Sequence, residues 1–412
     1  MFPKVKPAKK RIYLDHAATT YVDPSVAKAM ESYWTKSFGN PSSLYQEGRE
    51  AQQAMEDARR SIAGLLGARS SEIIFTAGGT ESVNLAIFGV ARFCLSSRSK
   101  SASRPHLLAS AIEHHAVLNS LEALKAEGCE PNVVEVDGNG FIRFDELKAA
   151  LRPETVLVSV MYANNEIGTV QPIAKIGRWL SEENTKRQAR GLPRVLFHTD
   201  ACQAAGALSM DVNRLGVDLM TVNGSKIYGP KQTGFLYVRT GTDLKPLIYG
   251  GGQERNLRSG TENVPGIVGL AKALELAQKT RLKENKRLSG LRNYLYAKIV
   301  KAIPDVILNG PEVGKTDDMN RLPNNLNVSF PGVEGEALLL YLDSYGISVS
   351  TGSACTSHSP DPSHVLIAIG RSYDEAQSSI RFTLGKRTTR QELDFVTRVL
   401  PGIVEELRRK SK

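Results

Sequence analysis

The 412-residue sequence contains no apolar run that approaches the length of a membrane span, and its charged N-terminus lacks the apolar core of a signal peptide. Cysteine is scarce, and the four cysteines form no C-x-x-C pair: Cys94, Cys129, Cys202 and Cys355. This scatter argues against a disulfide framework and against a dedicated zinc site. It favours a reducing compartment, so we expect a cytoplasmic protein with no metal site and no membrane partner.

The net charge of +10 raises the question of nucleic-acid binding, so the position of the basic residues matters. The excess lies in residues 4–11, 96–104, 181–194 and 408–412, and the rest of the chain is slightly acidic. These segments are tails and predicted loops, and they do not form one recognition element with interleaved aromatic residues. The charge therefore favours solubility or loose attraction to acidic partners, and we expect no direct binding to nucleic acid.

Short apolar, β-rich runs alternate with helical patterns between about residues 70 and 240. The strands are predicted at 72–76, 107–111, 132–136, 155–161, 194–199, 218–222 and 235–238. This alternation is typical of a mostly parallel sheet with helices on both faces. The alternation ends at a glycine-rich segment (250–260). After it the sequence predicts a long helix (267–302) and then a smaller α+β block (about 305–409). The Ser-rich residues 96–104 are predicted to be a flexible insertion.

The string T-A-G-G-T-E-S-V-N (76–84) follows a predicted strand and opens a helix. Its glycines, including Gly79, let the backbone approach an anion, and a helix N-terminus supplies N–H groups and a favourable dipole. A phosphate is the predicted ligand, although a plain helix cap with Thr80 at the N-cap explains these residues equally well. The spacing matches neither G-x-G-x-x-G nor a Walker motif, which argues against a dinucleotide or a nucleoside triphosphate.

Two further strands end in polar residues. A-I-E-H-H-A-V (111–117) places His114 where ligands bind in open α/β sheets, so this imidazole could stack on a planar cofactor and shuttle protons. We interpret His115 as a satisfied, partly buried histidine. Asn164 and Asn165 follow the next strand and offer amides to a cofactor hydroxyl or a substrate carboxylate. Plain turn chemistry before Gly168 is the alternative.

A lysine and a carboxylate on neighbouring strands indicate pyridoxal phosphate chemistry. Lys226 lies in a Gly-flanked turn, and Asp200 ends the preceding strand. Such a lysine forms a Schiff base with the cofactor, while the carboxylate pairs with the protonated pyridine nitrogen and keeps the ring an electron sink. A lone lysine after a strand is usually a solvated surface residue. The other groups predicted at the same edge favour the cofactor, and they include the donors Gln203, Asn223 and Ser225.

Cys355 lies in a small, polar stretch, I-S-V-S-T-G-S-A-C-T-S-H-S-P (347–360). A buried structural cysteine prefers apolar neighbours, whereas an exposed loop suits a reactive thiol, so the pattern favours a reactive role. Arg381, in S-S-I-R-F-T-L-G, is a candidate for bidentate capture of a carboxylate. An ordinary salt bridge is the alternative for this arginine.

Taken together, these strings resemble the cysteine desulfurases of the NifS/IscS type, in the aminotransferase class V branch of pyridoxal-phosphate enzymes. The match extends over roughly residues 12–400 and includes Y-L-D-H-A-A-T-T (13–20) and F-G-N-P-S-S-L-Y (38–45). It implies pyridoxal-phosphate fold type I, with a mainly parallel seven-stranded sheet, and a homodimer. The expected parts are an N-terminal arm (1–20), a large cofactor-binding domain (21–262) and a smaller α+β domain carrying Cys355 (263–412).

The resemblance implies a role for each candidate residue. The implied roles are phosphate binding by Gly79, Thr80 and, from the opposite subunit, Thr261; ring stacking by His114; contact with cofactor or substrate by Asn165; pairing with the pyridine nitrogen by Asp200 and with the ring hydroxyl by Gln203; covalent attachment by Lys226; carboxylate capture by Arg381; and sulfur acceptance by Cys355.

The implied reaction converts L-cysteine to L-alanine and leaves the sulfur on Cys355 as a persulfide, for iron–sulfur clusters or other thiolation. The implied partner is a sulfur-acceptor protein such as an iron–sulfur scaffold. A selenocysteine lyase or another class V enzyme is one alternative, and a desulfurase-like scaffold protein is another. Intact Lys226, Asp200 and Cys355 argue against an inactive scaffold.

The chain departs from the family pattern close to Lys226. Asn223-Gly224-Ser225 stands where the family often has Ser-x-His, so one imidazole near the cofactor is lost. Gln232 stands where the family usually has glycine, and we expect a different turn there. Residues 96–104 and 181–194 are insertions without an assigned counterpart.

Overall fold

The computed structural model describes residues 6–97, 103–314, 319–351 and 361–410. In these ranges the strands are β1 (Ile12–Tyr13), β2 (Ile73–Thr76), β3 (His106–Ser110), β4 (Glu130–Val134), β5 (Thr155–Ser159), β6 (Leu196–Asp200), β7 (Leu219–Asn223), β8 (Gly234–Val238), β9 (Ile307–Leu308), β10 (Asn325–Ser329), β11 (Ile347–Ser348) and β12 (Ser379–Thr383). The helices are α1 (Pro24–Met30), α2 (Ser32–Thr35), α3 (Gln46–Leu66), α4 (Gly79–Ser97), α5 (His115–Ala126), α6 (Phe144–Ala149), α7 (Ile173–Ala189), α8 (Val212–Leu215), α9 (Val264–Ala302), α10 (Gly335–Ser344), α11 (His364–Ala368), α12 (Tyr373–Gln377) and α13 (Arg390–Lys410).

A seven-stranded sheet forms the centre of the protein, in the order β2-β8-β7-β6-β5-β3-β4. Strand β8 runs antiparallel to β2 and β7, and the other neighbouring pairs are parallel. The mainly parallel seven-stranded sheet expected from the sequence is confirmed. Each predicted strand is present, with its ends shifted by no more than two residues.

Side chains alternate between the two covered faces of this sheet. On β8, Phe235 and Tyr237 pack into one hydrophobic cluster, whereas Leu236 and Val238 pack into the cluster on the opposite face. This is the two-residue period of a strand whose faces are both buried. Helices α3 and α9 contribute to the first cluster, and helices α4 and α5 contribute to the second.

The 39-residue helix α9 links this core to a second one. Its first half packs in the core of the large sheet through residues such as Leu270, whereas Leu295 and Ile299 near its end pack in the second core. That core surrounds the antiparallel sheet β12-β10-β9. The N-terminal strand β1 joins it by pairing in parallel with β11, which buries Ile12 and Leu14.

The prediction that the basic segment 181–194 is a loop is wrong for residues 181–189, because α7 continues to Ala189. Arg187, on this helix, is buried and donates hydrogen bonds to the carbonyl groups of Arg152, Pro153, Thr155 and Pro193. One of the basic residues thus holds the helix against neighbouring loops. Ser96 and Ser97 belong to α4, and residues 98–102 lie outside the described ranges. No helix in the described part of the chain is both long and apolar enough to cross a bilayer.

A buried ion pair holds the glycine-rich segment against the large sheet. The two Nη atoms of Arg59 donate to the Glu254 carboxylate at 2.8 and 2.7 Å, and the N–H of Phe75 donates to the same carboxylate at 2.8 Å. Glu254, Arg255 and Asn256 all have positive φ angles. Three consecutive non-glycine residues in this conformation cost free energy, so the ion pair is needed to maintain the segment.

We expect Arg59→Met to lower the free energy of unfolding by about 3–5 kcal/mol, because it leaves the Glu254 carboxylate buried without its partner. Urea unfolding of the protein, followed by circular dichroism, measures this change. Arg60→Met is the matched control, since Arg60 lies on the same helix and pairs with Asp57 on the surface. Equal unfolding midpoints for the two variants would contradict the assigned importance of the buried pair.

Candidate active site

The carboxyl ends of the parallel strands bring the candidate residues to one edge of the large sheet. Asp200 at the end of β6 pairs in register with Thr221 of β7. Gly234 at the start of β8 pairs with Asn223 on one side and with Thr76 on the other. The loop after β2, the end of β6 and the turn after β7 are therefore neighbours.

The glycine loop before α4 packs directly onto these strand ends. A β-carbon on Gly79 would lie 2.9 Å from Cys202 Sγ, and a β-carbon on Gly234 would lie 2.8 Å from the Cα of Gly78. Gly78 also has a φ of +147°, which side-chain-bearing residues rarely adopt. The approach places the first turn of α4, whose N–H groups have no partner within the helix, beside Cys202 and Asn223.

A cleft of about 600 Å³ opens in front of this helix end. Four of the residues predicted to bind the cofactor line it together: Gly79, Thr80, Asn223 and Ser225. Lys231 also lines the cleft, while the Glu81 carboxylate is paired with Arg258 at 2.9 Å. The helix dipole, the hydroxyl groups and the lysine all favour an anion here.

The turn that carries Lys226 is held by the segment after β1. Asn223 caps the turn by accepting the N–H of Ser225 at 2.9 Å, and the Ser225 carbonyl accepts the N–H and the hydroxyl of Thr20 at 2.9 Å. The Lys226 ammonium donates to the carbonyl of Ala18. The Gln203 amide donates to the adjacent carbonyl of Ala17 at 3.0 Å. The motif Y-L-D-H-A-A-T-T is therefore part of the site partly through the carbonyl groups of Ala17 and Ala18, a role that the alanine side chains do not reveal.

The charges of Asp200 and Lys226 both act on His114. Burial lowers the pKa of His114, the carboxylate of Asp200 opposes this shift, and the charges of His115 and Lys226 add to it. His114 also caps α5, because its Nδ1 accepts the N–H of Ala116 at 3.0 Å. Near neutral pH the ring is therefore uncharged, with its proton on Nε2.

Cys202 is held as an unreactive thiol beside the same groups. Its N–H donates to Asp200 Oδ1 at 2.9 Å, and its sulfur lies against Gly79. Burial raises the pKa of Cys202 well above its usual range, and the negative charge of Asp200 raises it further. Because the thiolate is the nucleophile, this thiol is not suited to accept sulfur.

Arg381 is buried, at 2% exposure, and it joins Asn165 to the N-terminal segment. Its Nη2 donates to Asp15 at 2.8 Å, and its Nη1 donates to the carbonyl of Asn165 at 3.1 Å. The salt bridge considered as the alternative for Arg381 is thus present. Its Nε atom is buried and has no acceptor within the described residues. Asn164 is fully buried and serves the turn, as its side-chain oxygen accepts the N–H groups of Glu166 and Ile167.

Two buried acids next to the candidate residues are absent from the sequence prediction. Burial raises the pKa of Glu113 to about 8, and the charge of Asp200 adds to this increase. Hydrogen bonds from Ser110 and Met161 lower the pKa and oppose the shift only in part. Burial also raises the pKa of Glu166 to about 7, although its contact with Ser363 and the charge of Arg381 oppose this. Each directly adjoins a predicted residue, His114 or Asn165, and this adjacency was the available signal.

The remaining predicted residues lie apart from this group. Thr261 is exposed and lines a neighbouring cleft of about 230 Å³, which shares Ala77 and Gln232 with the first cleft. Cys355 lies outside the described residues. Gln232 has a φ of +57°, which is a left-handed conformation. Glycine, the usual residue of the family at this position, adopts this conformation more easily than glutamine does.

The chain matches the family model "Aminotransferase class-V" over residues 12–396. It belongs to the aminotransferase class V family. Among relatives, "Cysteine desulfurase IscS" of Dictyoglomus turgidum is 49% identical over 400 residues, covering 97% of this chain and 96% of that protein. A solved NifS-like protein superposes with a TM-score of 0.83 at 36% identity, covering 97% of this chain and 99% of the other. The structure titled "SspA in complex with cysteine" has a TM-score of 0.76 at 36% identity, covering 90% and 98%.

Class V enzymes use pyridoxal phosphate, and the residues of this chain fit that cofactor. The helix N-terminus and Ser225 suit its phosphate, a buried carboxylate on Asp200 suits its protonated nitrogen, and Lys226 suits its aldehyde. The position of this helix N-terminus depends on Gly79, because a side chain at residue 79 would collide with Cys202.

We expect Gly79→Ala to weaken pyridoxal phosphate binding by about 1–3 kcal/mol, because the added methyl group overpacks the loop against the Cys202 sulfur. The double variant Gly79→Ala with Cys202→Ala removes that sulfur and is expected to recover part of the loss. Titration of the apoprotein, followed by cofactor absorbance, measures both affinities. Gly64→Ala is the control, since nothing lies within 4 Å of its added β-carbon. A double variant that binds no better than the single one would exclude the collision as the cause.

Proposed function

We propose that this protein is a pyridoxal-phosphate-dependent cysteine desulfurase, which converts L-cysteine to L-alanine and takes the sulfur onto Cys355 as a persulfide. The observation that carries the proposal is the meeting of Lys226, Asp200 and His114 beside a cleft of about 600 Å³ at one edge of the sheet. Relatives named cysteine desulfurase, and a structural neighbour solved with cysteine, support the substrate.

The residues of the site divide the work of binding and proton transfer. When bound, pyridoxal phosphate holds the substrate amine covalently and supplies an electron sink for the Cα carbon. Lys226 attaches the cofactor and, once displaced by the substrate, acts as the base that takes the Cα proton. Asp200 keeps the ring nitrogen protonated from its buried position. Arg381 receives the substrate carboxylate, because each of its Nη atoms keeps an N–H beyond the one donated to Asn165 or Asp15.

His114 is best suited to ring stacking and to donating a hydrogen bond from Nε2. Its Nδ1 already accepts the N–H of Ala116, so taking up a second proton requires that this cap be given up. A proton transfer to the thiols through His114 therefore breaks the hydrogen bond that caps the N-terminus of α5. The buried site that lowers the pKa of His114 also makes the neutral ring its resting form.

The sulfur transfer needs no external oxidant. The Cys355 thiolate attacks the substrate sulfur, the Cβ–S bond breaks, and its electron pair stays with the carbon skeleton. That carbon gains a proton and leaves as alanine, while the new S–S bond makes the persulfide. The transferred sulfur is oxidised and the β-carbon is reduced by the same two electrons.

Chain connectivity supports Cys355 as the acceptor. Ser350 exchanges both backbone hydrogen bonds with Arg381, at 2.7 and 3.3 Å. Cys355 lies four residues beyond Thr351, and a chain of that length spans at most about 14 Å. Cys355 is therefore close in sequence to the residue that pairs with Arg381, whereas burial and the charge of Asp200 raise the pKa of Cys202 and keep it an inert thiol.

We expect Cys355→Ala to abolish the protein-bound persulfide and Lys226→Ala to abolish covalent cofactor attachment. Mass spectrometry after a single turnover with L-cysteine detects the persulfide, and borohydride reduction of the holoenzyme detects the attachment. Cys94→Ala is the matched control and should keep both signals. A persulfide in Cys355→Ala would overturn the acceptor assignment. Faster alanine formation from selenocysteine, unaffected by Cys355→Ala, would instead identify a selenocysteine lyase.

We also propose that the protein acts as a cytoplasmic homodimer that passes sulfur to an acceptor protein such as an iron–sulfur scaffold. Large apolar side chains are exposed close together in sequence, namely Trp34, Phe38, Leu44 and Tyr45, with Leu44 at 89% exposure. Such an exposed apolar stretch is typical of an interface. Thr261 is exposed and lines the cleft of about 230 Å³ next to the one that Gly79 and Thr80 line. In a dimer, Thr261 would then complete the site of the opposite subunit. The scattered cysteines support a reducing compartment.

Sedimentation equilibrium is expected to show a dimer for the unmodified protein and a monomer for the double variant Phe38→Asp with Leu44→Asp, because two charges would be buried at the interface. Leu340→Asp is the control, as Leu340 is also exposed but lies on α10, which packs in the second core. A double variant that remains dimeric would place the interface elsewhere.

A further inference from the structure

A cavity of about 370 Å³ lies beside the cleft of the candidate active site and has no part in the proposed reaction. Thr19 and Lys231 line both spaces, so the two adjoin each other. The rest of the wall comes from the N-terminal segment around β1 and from residues at the start of α13. Its volume lies in the range in which proteins bind small organic molecules, about 300–1,000 Å³. We call it the basic cavity.

The basic cavity carries more positive charge than its own residues neutralise. The described residues that line it include four basic side chains and one carboxylate, that of Glu392. The basic side chains are Lys10, Arg11, Lys231 and Arg387. Arg11 is paired with Asp343, whereas no carboxylate in the described ranges forms an ion pair with the other three. Three unpaired cations and one carboxylate leave a net charge of +2, and a cleft of one sign concentrates ions of the opposite sign.

Two groups of the wall suit the oxygens of a phosphate. The Arg387 guanidinium stacks on the Tyr21 ring, with 3.9 Å from its Cζ to the ring centroid. Stacking keeps the N–H groups at the edge of the guanidinium, where they match two phosphate oxygens. Thr19 Oγ1 is buried and has no hydrogen-bond partner in the part of the chain that the structure describes. An unpaired buried hydroxyl costs free energy, so a ligand oxygen that accepts from it is stabilised.

The carboxylate of Glu392 does not compete for the basic side chains, because it serves the N-terminus of α13. It accepts the N–H of Thr389 at 2.8 Å and the hydroxyl of the same residue at 3.2 Å. Its negative charge therefore stays with the backbone at this helix end, where it is favourable. Lys231 likewise meets only a neutral group, the carbonyl of Thr20, at 3.3 Å.

Aromatic rings form another part of the wall. The rings of Tyr13 and His16 meet edge to face, with 5.0 Å between their centroids, and both line the cavity. Burial lowers the pKa of His16, and its Nδ1 donates to the carbonyl of Thr383 at 2.9 Å, so this ring offers an uncharged surface. Such surfaces suit the organic part of a ligand, and the cavity has room for more than a phosphate group.

We propose that the basic cavity binds a small organic molecule that carries a phosphate dianion. The phosphate lies at Lys10 and Arg387, and the organic part lies against Tyr13 and His16. A dianion matches the net charge of the cavity. The phosphate of pyridoxal phosphate belongs to the N-terminus of α4 in the neighbouring cleft, so the two phosphates belong to separate ligands. The site is independent of the proposed desulfurase reaction.

The test measures the binding of phenyl phosphate to the holoenzyme, whose cofactor cleft is filled, by isothermal titration calorimetry. The titration is run at about pH 8, above the second pKa of a phosphate monoester, which is about 6. We expect saturable binding of phenyl phosphate and no binding of phenol, which has the same ring without the charge. The double variant Lys10→Gln with Arg387→Gln should weaken the binding about tenfold, because two charge-assisted contacts to the phosphate are lost from a partly exposed site.

The double variant Lys9→Gln with Arg390→Gln is the matched control, because it removes the same net charge outside the cavity. Lys9 is exposed and precedes Lys10, and Arg390 stacks on a tyrosine ring at 4.2 Å much as Arg387 does. We expect the control to bind phenyl phosphate within about twofold of the unaltered protein, as for surface substitutions that contact no ligand.

Three results would overturn the proposal. The first is the absence of saturable binding of phenyl phosphate to the unaltered holoenzyme. The second is an equal loss of affinity in the two double variants, because it would indicate general attraction between charges. The third is release of the cofactor by phenyl phosphate, seen in the cofactor absorbance, because it would place the anion in the cofactor cleft. Failure of the desulfurase function would appear separately, as persulfide in Cys355→Ala.

Discussion

Gly79 lies so close to the sulfur of Cys202 that no β-carbon fits between the loop after β2 and the end of β6. This contact sets the distance from the N-terminus of α4 to Asp200 and to the turn of Lys226. The covalent structure of a bound cofactor fixes the distance from its phosphate to its ring nitrogen. The protein groups that bind the phosphate and the nitrogen must therefore lie at a matching distance from each other. The sheet supplies that spacing through strand register, and the missing side chains at Gly79 and Gly234, with the positive φ of Gly78, allow the loop to reach it.

The buried edge of the sheet holds several titratable groups, and its electrostatics keep most of them neutral. Glu113, with a pKa raised to about 8, is largely protonated at neutral pH, and the Cys202 thiol and the His114 ring are uncharged there. Each of these groups responds to the charge of Asp200. The charge of Asp200 adds to the raised pKa of Glu113, because two neighbouring carboxylates resist joint ionisation in a poorly solvated site. A negative charge at Asp200 is also what a protonated pyridine nitrogen would pair with.

Elements that depend on local pattern were predictable from the sequence, and elements that depend on distant partners were not. The seven strands of the large sheet are apolar runs with clear ends, and the polar residues after them lie at one edge because parallel strands share their direction. The partner of Arg381 is Asp15, 366 residues earlier, and no local pattern connects them. The raised pKa values of Glu113 and Glu166 come from burial, which is a tertiary property. The helical course of residues 181–189 was missed because a charged, polar composition was read as a loop, whereas α7 needs only one apolar stripe.

The pairing of Arg381 with Asp15 explains how a guanidinium at 2% exposure stays buried whether or not a ligand is present. A buried arginine without a counter-ion is costly, so a site that relied on the substrate carboxylate alone would be destabilised between turnovers. Asp15 supplies a permanent partner at one Nη atom, and the Asn165 carbonyl accepts from the other. Because Asp15 lies two residues after β1, which pairs with β11, the N-terminal segment is as much a part of the proposed substrate site as the strand that carries Arg381. The next residues then accept the hydrogen bonds of Lys226 and Gln203, so one stretch of backbone links the proposed carboxylate site to the proposed base.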